Sequence, residues 1–101
     1  MKIKVDVTQE CIRMGTPGRK CSCPVAIAFI RHSDLSFSSI SVDDWVIEGR
    51  YCRYLYRDDD GEMVGPYRPF RVQTPSSVRK FITDYDLGLP VSPFSFEVEL
   101  E

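Results

Sequence analysis

Phe94-Ser-Phe-Glu-Val-Glu-Leu-Glu101 alternates without a break, placing Phe94, Phe96, Val98 and Leu100 on one side and Ser95, Glu97, Glu99 and Glu101 on the other. Strand side chains point alternately to opposite faces, so this is a half-buried strand. The chain's start, Met1-Lys-Ile-Lys-Val-Asp-Val-Thr8, repeats the pattern: Ile3, Val5 and Val7 alternate with Lys2, Lys4 and Asp6. Pairing the two strands sets Lys2 and Lys4 against Glu97 and Glu99 across a wet face. Opposite charges so placed contribute ~0.2–1 kcal/mol per pair, and like charges cost a similar amount. The first and last strands are therefore predicted to be neighbours in one sheet.

Working inward, Thr8 is suited to cap a short helical turn over 9–14, with Gly15 supplying a left-handed stop. The segment 16–22 carries Pro17, Gly18 and no apolar period, and reads as an exposed, mobile loop. Pro24-Val-Ala-Ile-Ala-Phe-Ile-Arg-His32 opens on a proline suited to a first helical turn and is apolar nearly all round, as a central helix is. Ser36 to Val42 and Trp45 to Glu48 read as strands around a turn at Asp43-Asp44. A longer hairpin, 51–57 and 62–72, folds about Asp58-Asp-Asp-Gly61, with Pro66 and Pro69 marking an edge or a bulge. Thr74 and Pro75 suit a helix start, and Val78, Phe81, Ile82 and Tyr85 give one buried stripe before Gly88 and Pro90 stop it. The order predicts an α+β domain spanning 1–101: a mostly antiparallel sheet of about five or six strands with two main helices on one face.

At 101 residues, with 43% hydrophobic and 28% charged residues, the chain is the size of one ordinary domain, too small for a large enzyme scaffold. Thirteen basic residues against fifteen acidic ones give a formal charge of −2, so no whole-chain field holds a polyanion or an anionic membrane. The start of the chain lacks the apolar core of a secretory signal, and no stretch has the length of a membrane span. Cys11, Cys21, Cys23 and Cys52 then read as reduced thiols in a cytoplasm.

Three stretches, 7–15 (Val-Thr-Gln-Glu-Cys-Ile-Arg-Met-Gly), 23–31 (Cys-Pro-Val-Ala-Ile-Ala-Phe-Ile-Arg) and 74–96 from Thr-Pro-Ser-Ser-Val-Arg-Lys-Phe-Ile to Pro-Val-Ser-Pro-Phe-Ser-Phe, are similar to those of a family of small uncharacterised bacteriophage and prophage proteins. The likeness covers both ends and leaves 33–73 unmatched. It implies a viral setting, supplies no catalytic residue, and points by analogy to binding of a host protein, including host defence complexes.

The residues offer several sites to weigh. Cys11, Cys21 and Cys23 with His32 or Cys52 are zinc-ligand types, but structural zinc sites bring cysteines in C-x₂₋₄-C pairs and this chain has a C-x-C. Cys23 at a helix start is where a thiol pKa tends to fall, with Cys21 as a resolving partner. His32, roughly 13 Å along the same helix, is out of reach as its base. Gly15 to Lys20 lacks the glycine spacing of a phosphate loop. Arg13, Arg19 and Lys20 remain available for an acidic surface. Arg50, Arg53, Arg57, Arg68 and Arg71 interleave with Tyr51, Tyr54, Tyr56, Tyr67 and Phe70, a mixture used both on single-stranded nucleic acid and at protein interfaces. Asp58, Asp59, Asp60 and Glu62 at the hairpin tip repel phosphate and favour a protein. The expectation is therefore a non-enzymatic binder of a host protein, needing no cofactor or metal, with Arg13, Arg19, Lys20, Arg50, Arg53, Arg57, Asp58, Asp59, Asp60, Glu62 and Tyr67 as contact residues. A nucleic-acid accessory protein is the second reading, and a thiol redox or zinc protein the third.

Overall fold

The computed structural model describes residues 1–33, 35–52, 56–57, 59–61 and 63–100, with only the backbone of 56, 57, 63 and 64. Strand β1 (Lys2–Val7) leads to helix α1 (Gln9–Met14) and helix α2 (Pro24–Arg31). Strands β2 (Ser36–Val42) and β3 (Val46–Cys52) follow, then the two-residue strands β4 (Tyr56–Arg57) and β5 (Met63–Val64). Strand β6 (Arg68–Gln73), helix α3 (Ser76–Asp86) and strand β7 (Phe94–Glu99) complete the order.

The terminal strands pair antiparallel, with Lys2 opposite Glu99 and Lys4 opposite Glu97, as the charge pattern required. The ammonium groups settle on nearby alternatives. Lys2 Nζ lies 3.9 Å from Glu97, diagonally across the pair, and Lys4 Nζ lies 3.8 Å from Asp6 on its own strand. All four side chains are more than half exposed, so each pair stabilises by ~1 kcal/mol at most. The ladder's strength comes instead from its other face, where Ile3, Val5, Val7, Phe96, Val98 and Leu100 are buried.

The single sheet expected from the sequence is divided. Five strands of six or seven residues form two antiparallel sheets, β1-β7 and β2-β3-β6, and β4 with β5 makes a short ladder of its own. Side-chain alternation fixes which face each strand buries and leaves open which edges meet. β6 is an edge strand, in keeping with Pro69, which has no N–H to give a neighbour. Helix α2 packs against β1 and β2. Its Phe29, with no solvent exposure, lies 5.1 Å from the Phe37 ring of β2, 6.2 Å from Phe70 of β6 and 5.7 Å from Phe96 of β7, so one side chain joins both sheets. Ile30 is more than half exposed, so α2 is less apolar in its surroundings than in its sequence. Helix α3 buries Val78, Phe81 and Ile82, sets the Phe81 ring 4.9 Å from Phe94 of β7 at a tilt of 38°, and sends the Tyr85 hydroxyl to the Ile12 carbonyl at 3.1 Å.

Several local expectations change for non-local reasons. Gly15 is extended (φ −71°), and the glycine is required because a Cβ there would lie 2.5 Å from Pro24 Cδ. Thr74, 2% exposed, does not cap α3: its hydroxyl donates to the Asp43 carbonyl at 2.8 Å, and Pro75 takes the cap position without a side-chain bond. Gly88 (φ +78°) does end α3, with its N–H on Tyr85 O at 3.1 Å and the Leu89 N–H on Asp84 O at 2.9 Å. Between Ser38 and Ser41 the β2–β3 register slips by one residue, with Ser39 at φ +56°. Gly49 lies opposite this bulge, where a Cβ would meet Ile40 Cδ1 at 2.7 Å.

Candidate functional site

The turn between β2 and β3 is built on one carboxylate. Asp43 Oδ1 accepts the N–H of Trp45 at 2.8 Å and of Val46 at 2.7 Å, and Lys20 Nζ lies 3.7 Å from Oδ2. Those two amides first, and then Lys20, hold the Asp43 carboxyl below its ordinary range. The turn directs Trp45 outward: its side chain is 69% exposed, the Arg79 guanidinium of α3 sits 4.5 Å above the ring, and Arg79 Nε donates to Asp44 O at 3.0 Å. Stacking a guanidinium on indole contributes ~0.5–1 kcal/mol at an exposed site and limits the ring's motion.

Across from Trp45 lies the loop between α1 and α2. It is exposed, as expected, yet held at three points: Thr16 N–H to Ser22 O at 2.8 Å, Gly18 N–H to Asp86 Oδ1 at 2.9 Å, and Val42 N–H to Lys20 O at 3.0 Å. Between loop and turn runs a groove of about 340 Å³, floored by Cys23, Val42 and Ile82 and walled by Arg19 and Lys20 on one side and Asp43, Asp44 and Trp45 on the other. Asp86, which accepts the Gly18 N–H, also lines it. The groove thus carries both signs of charge around an apolar floor, with an aromatic rim.

Cys23 caps α2, accepting the Ala26 N–H on Sγ at 3.5 Å. The expected fall in its pKa is reversed. Burial raises it above the ordinary thiol value, outweighing the favourable amides, and the Asp86 charge raises it further. A thiol kept protonated is a poor nucleophile, so Cys23 is a floor residue. Cys11 is buried in α1, where Thr8 Oγ1 caps the Cys11 N–H at 3.3 Å, while Cys21 is exposed and Cys52 buried beside Tyr67. Among the described residues, no three His, Cys, Asp or Glu side chains converge as metal ligands would.

The contact residues expected from the sequence fall in separate places. Arg19 and Lys20 line the groove, while Arg13 is exposed in the last turn of α1. Arg50 is exposed on β3, opposite Ser38 and Pro69. Asp59 and Asp60 are exposed in the turn before Gly61 (φ +82°). Arg53, Asp58 and Glu62 lie outside the described residues, as does the Arg57 side chain. Tyr67 is half-buried, and burial together with the adjacent Cys52 raises its phenol pKa. Tyr51 and Phe70, expected as base-stacking faces, turn into the core, 6.0 Å apart and packed around Phe37. That removes two stacking platforms from the nucleic-acid reading.

Trp45, Arg79, Asp43 and Asp86 are the residues that sequence reasoning missed. One signal was present: the only tryptophan directly follows two aspartates at a turn. The strand expected from Trp45 begins at Val46, which leaves the indole on the turn. Among the described residues no helix is long and apolar enough to cross a membrane. Comparison of the chain with protein-family models, with curated proteins and with solved structures gives no match.

Proposed function

We propose that this protein acts without catalysis by binding another protein, and that the groove beside Trp45 is the contact surface. In keeping with the resemblance to phage and prophage proteins, the partner is a bacterial host protein in the cytoplasm, and the effect is inhibition of a host or defence complex, as an anti-CRISPR protein achieves. One observation carries the reading: the only tryptophan is 69% exposed, held by Arg79 at the rim of a groove with charges of both signs. Tryptophan and arginine are the residues most enriched where interfaces concentrate their energy, and an exposed indole gains most when a partner covers it.

The test is affinity capture from host lysate with the wild-type protein and with Trp45→Ala, analysed by mass spectrometry. A host protein retained at stoichiometric level by the first and lost by the second is expected. Equal retention by both overturns the assignment of the surface. Binding to single-stranded nucleic acid that falls steeply with salt, with no protein captured, replaces the reading with the nucleic-acid one.

A further inference from the structure

The groove beside Trp45 has its charges sorted by wall. Arg19 and Lys20 stand on the loop side and Asp43, Asp44 and Trp45 on the turn side, with Asp86 also in the lining. Most of these charges are engaged within the chain. Lys20 Nζ lies 3.7 Å from Asp43, Asp86 Oδ1 accepts the Gly18 N–H at 2.9 Å, and the Arg79 guanidinium covers one face of the indole. Arg19 and Asp44 are left over: both are exposed, they stand on opposite walls, and among the described residues neither has an ion-pair partner. The whole is neutral, with Arg19, Lys20 and Arg79 against Asp43, Asp44 and Asp86, so a guest of one sign gains nothing there. A surface that repeats the pattern with its walls exchanged gains twice, and a two-fold axis running along the groove makes such a surface from the chain itself. It lays each basic wall against the acidic wall of the other copy. A two-fold axis across the groove would set like walls together, so the charges select one orientation.

We propose that this face takes a second copy of the chain, forming a two-fold dimer in which Arg19 of each copy meets Asp44 and the open face of Trp45 of the other. The indole is 69% exposed with Arg79 on one face, and a second guanidinium on the opposite face, held at its edge by the Asp44 carboxylate, satisfies both leftover charges. The floor contributes little, since Cys23, Val42 and Ile82 are 5%, 3% and 7% exposed. What the second copy covers is the rim, and every contact occurs twice. The two rings supply roughly 200–350 Å² of the ~1,200 Å² or more that a stable complex buries, which makes this a weak dimer that dilution takes apart. It uses the surface assigned above to a host protein, and on that reading the two compete: self-association covers Trp45 until the partner displaces the second copy. The competition rests on the host-protein reading; the dimer does not.

Sedimentation velocity and tryptophan emission are followed on the purified protein between ~1 µM and ~1 mM, in reductant so that exposed Cys21 forms no cross-link. A monomer–dimer equilibrium is expected, with the emission moving to the blue over the same range. Arg19→Glu and Asp44→Arg each weaken the dimer about tenfold or more, because each alone sets like charges together twice across the axis. An equimolar mixture of the two variants associates about as tightly as wild type, because both pairs are then attractive. Trp45→Ala, followed by sedimentation, weakens the dimer by a similar factor and serves if either charge variant does not fold. A protein monomeric throughout, association that continues beyond two copies, a dimer indifferent to Arg19→Glu and Asp44→Arg, or a mixture no tighter than its components overturns the proposal. None of these outcomes touches capture of a host protein at low concentration, and failure of that capture leaves the dimer standing.

Discussion

Replacing Asp43 by alanine removes the acceptor that shapes the Trp45 turn. Two backbone amides, of Trp45 and Val46, lose a carboxylate partner at 2.8 and 2.7 Å. A hydrogen bond to a charged group contributes about 1.5–3 kcal/mol. The Asp43 side chain is 32% exposed, so water replaces part of what is lost and the two bonds together are worth roughly 1.5–3 kcal/mol. For a domain of this size that lowers Tm by roughly 6–24 °C. Asp43→Asn keeps an acceptor without the charge and is expected to lose about half as much. The pH dependence follows from the lowered carboxyl pKa. Because the folded value lies below the unfolded one, the stabilisation is complete above the ordinary carboxylate range and is lost as pH falls through the folded value. Asp43→Ala therefore flattens that part of the acid limb. The assay is urea unfolding between pH 2 and 7, followed by the fluorescence of the single tryptophan. A loss under 0.5 kcal/mol with an unshifted emission maximum would refute the role given to Asp43.

Three further changes test other parts of the molecule. Phe29→Ala removes the ring shared by both sheets and is expected to cost about 3–5 kcal/mol in denaturant unfolding, and a cost near 1 kcal/mol would deny it that position. Gly15→Ala drives a methyl into the Pro24 ring and backbone, with an expected loss of about 1–3 kcal/mol, whereas a stabilised variant would mean that the α1–α2 approach is loose. Iodoacetamide at pH 8 is expected to modify exposed Cys21 first and to leave Cys23 with its raised pKa until the chain unfolds; rapid loss of Cys23, read by mass spectrometry, would reinstate it as a reactive thiol.

What was legible in the sequence was whatever a single element carries by itself. The alternation in 94–101 and 2–7 located two strands, and their opposite charges located the pair. The stripe of Val78, Phe81, Ile82 and Tyr85 oriented α3, and the run from Pro24 located the helix that meets both sheets. What remained hidden depends on residues brought together from a distance. Thr74 has every local attribute of a cap, but its hydroxyl is taken by the Asp43 carbonyl, 31 residues away in sequence. Gly15 does close α1, with its N–H on Cys11 O, but in an extended conformation, and what requires glycine there is the approach of Pro24. The division into two sheets is invisible because alternation says nothing about neighbouring edges. The groove was half seen: Arg19 and Lys20 were noticed for their charge, whereas Trp45, Arg79 and Asp86 acquire a role only when α3 is laid beside the β2–β3 turn.

The central claim is that a partner protein covers Trp45, and the most direct measurement is a fluorescence titration of this protein with the partner captured from lysate. Burial of the indole is expected to shift its emission to the blue, and Trp45→Ala, followed by calorimetry, to weaken binding by about 2 kcal/mol or more, roughly thirtyfold. Emission that stays at the solvent-exposed wavelength through saturation, with Trp45→Ala binding as tightly as wild type, would contradict it.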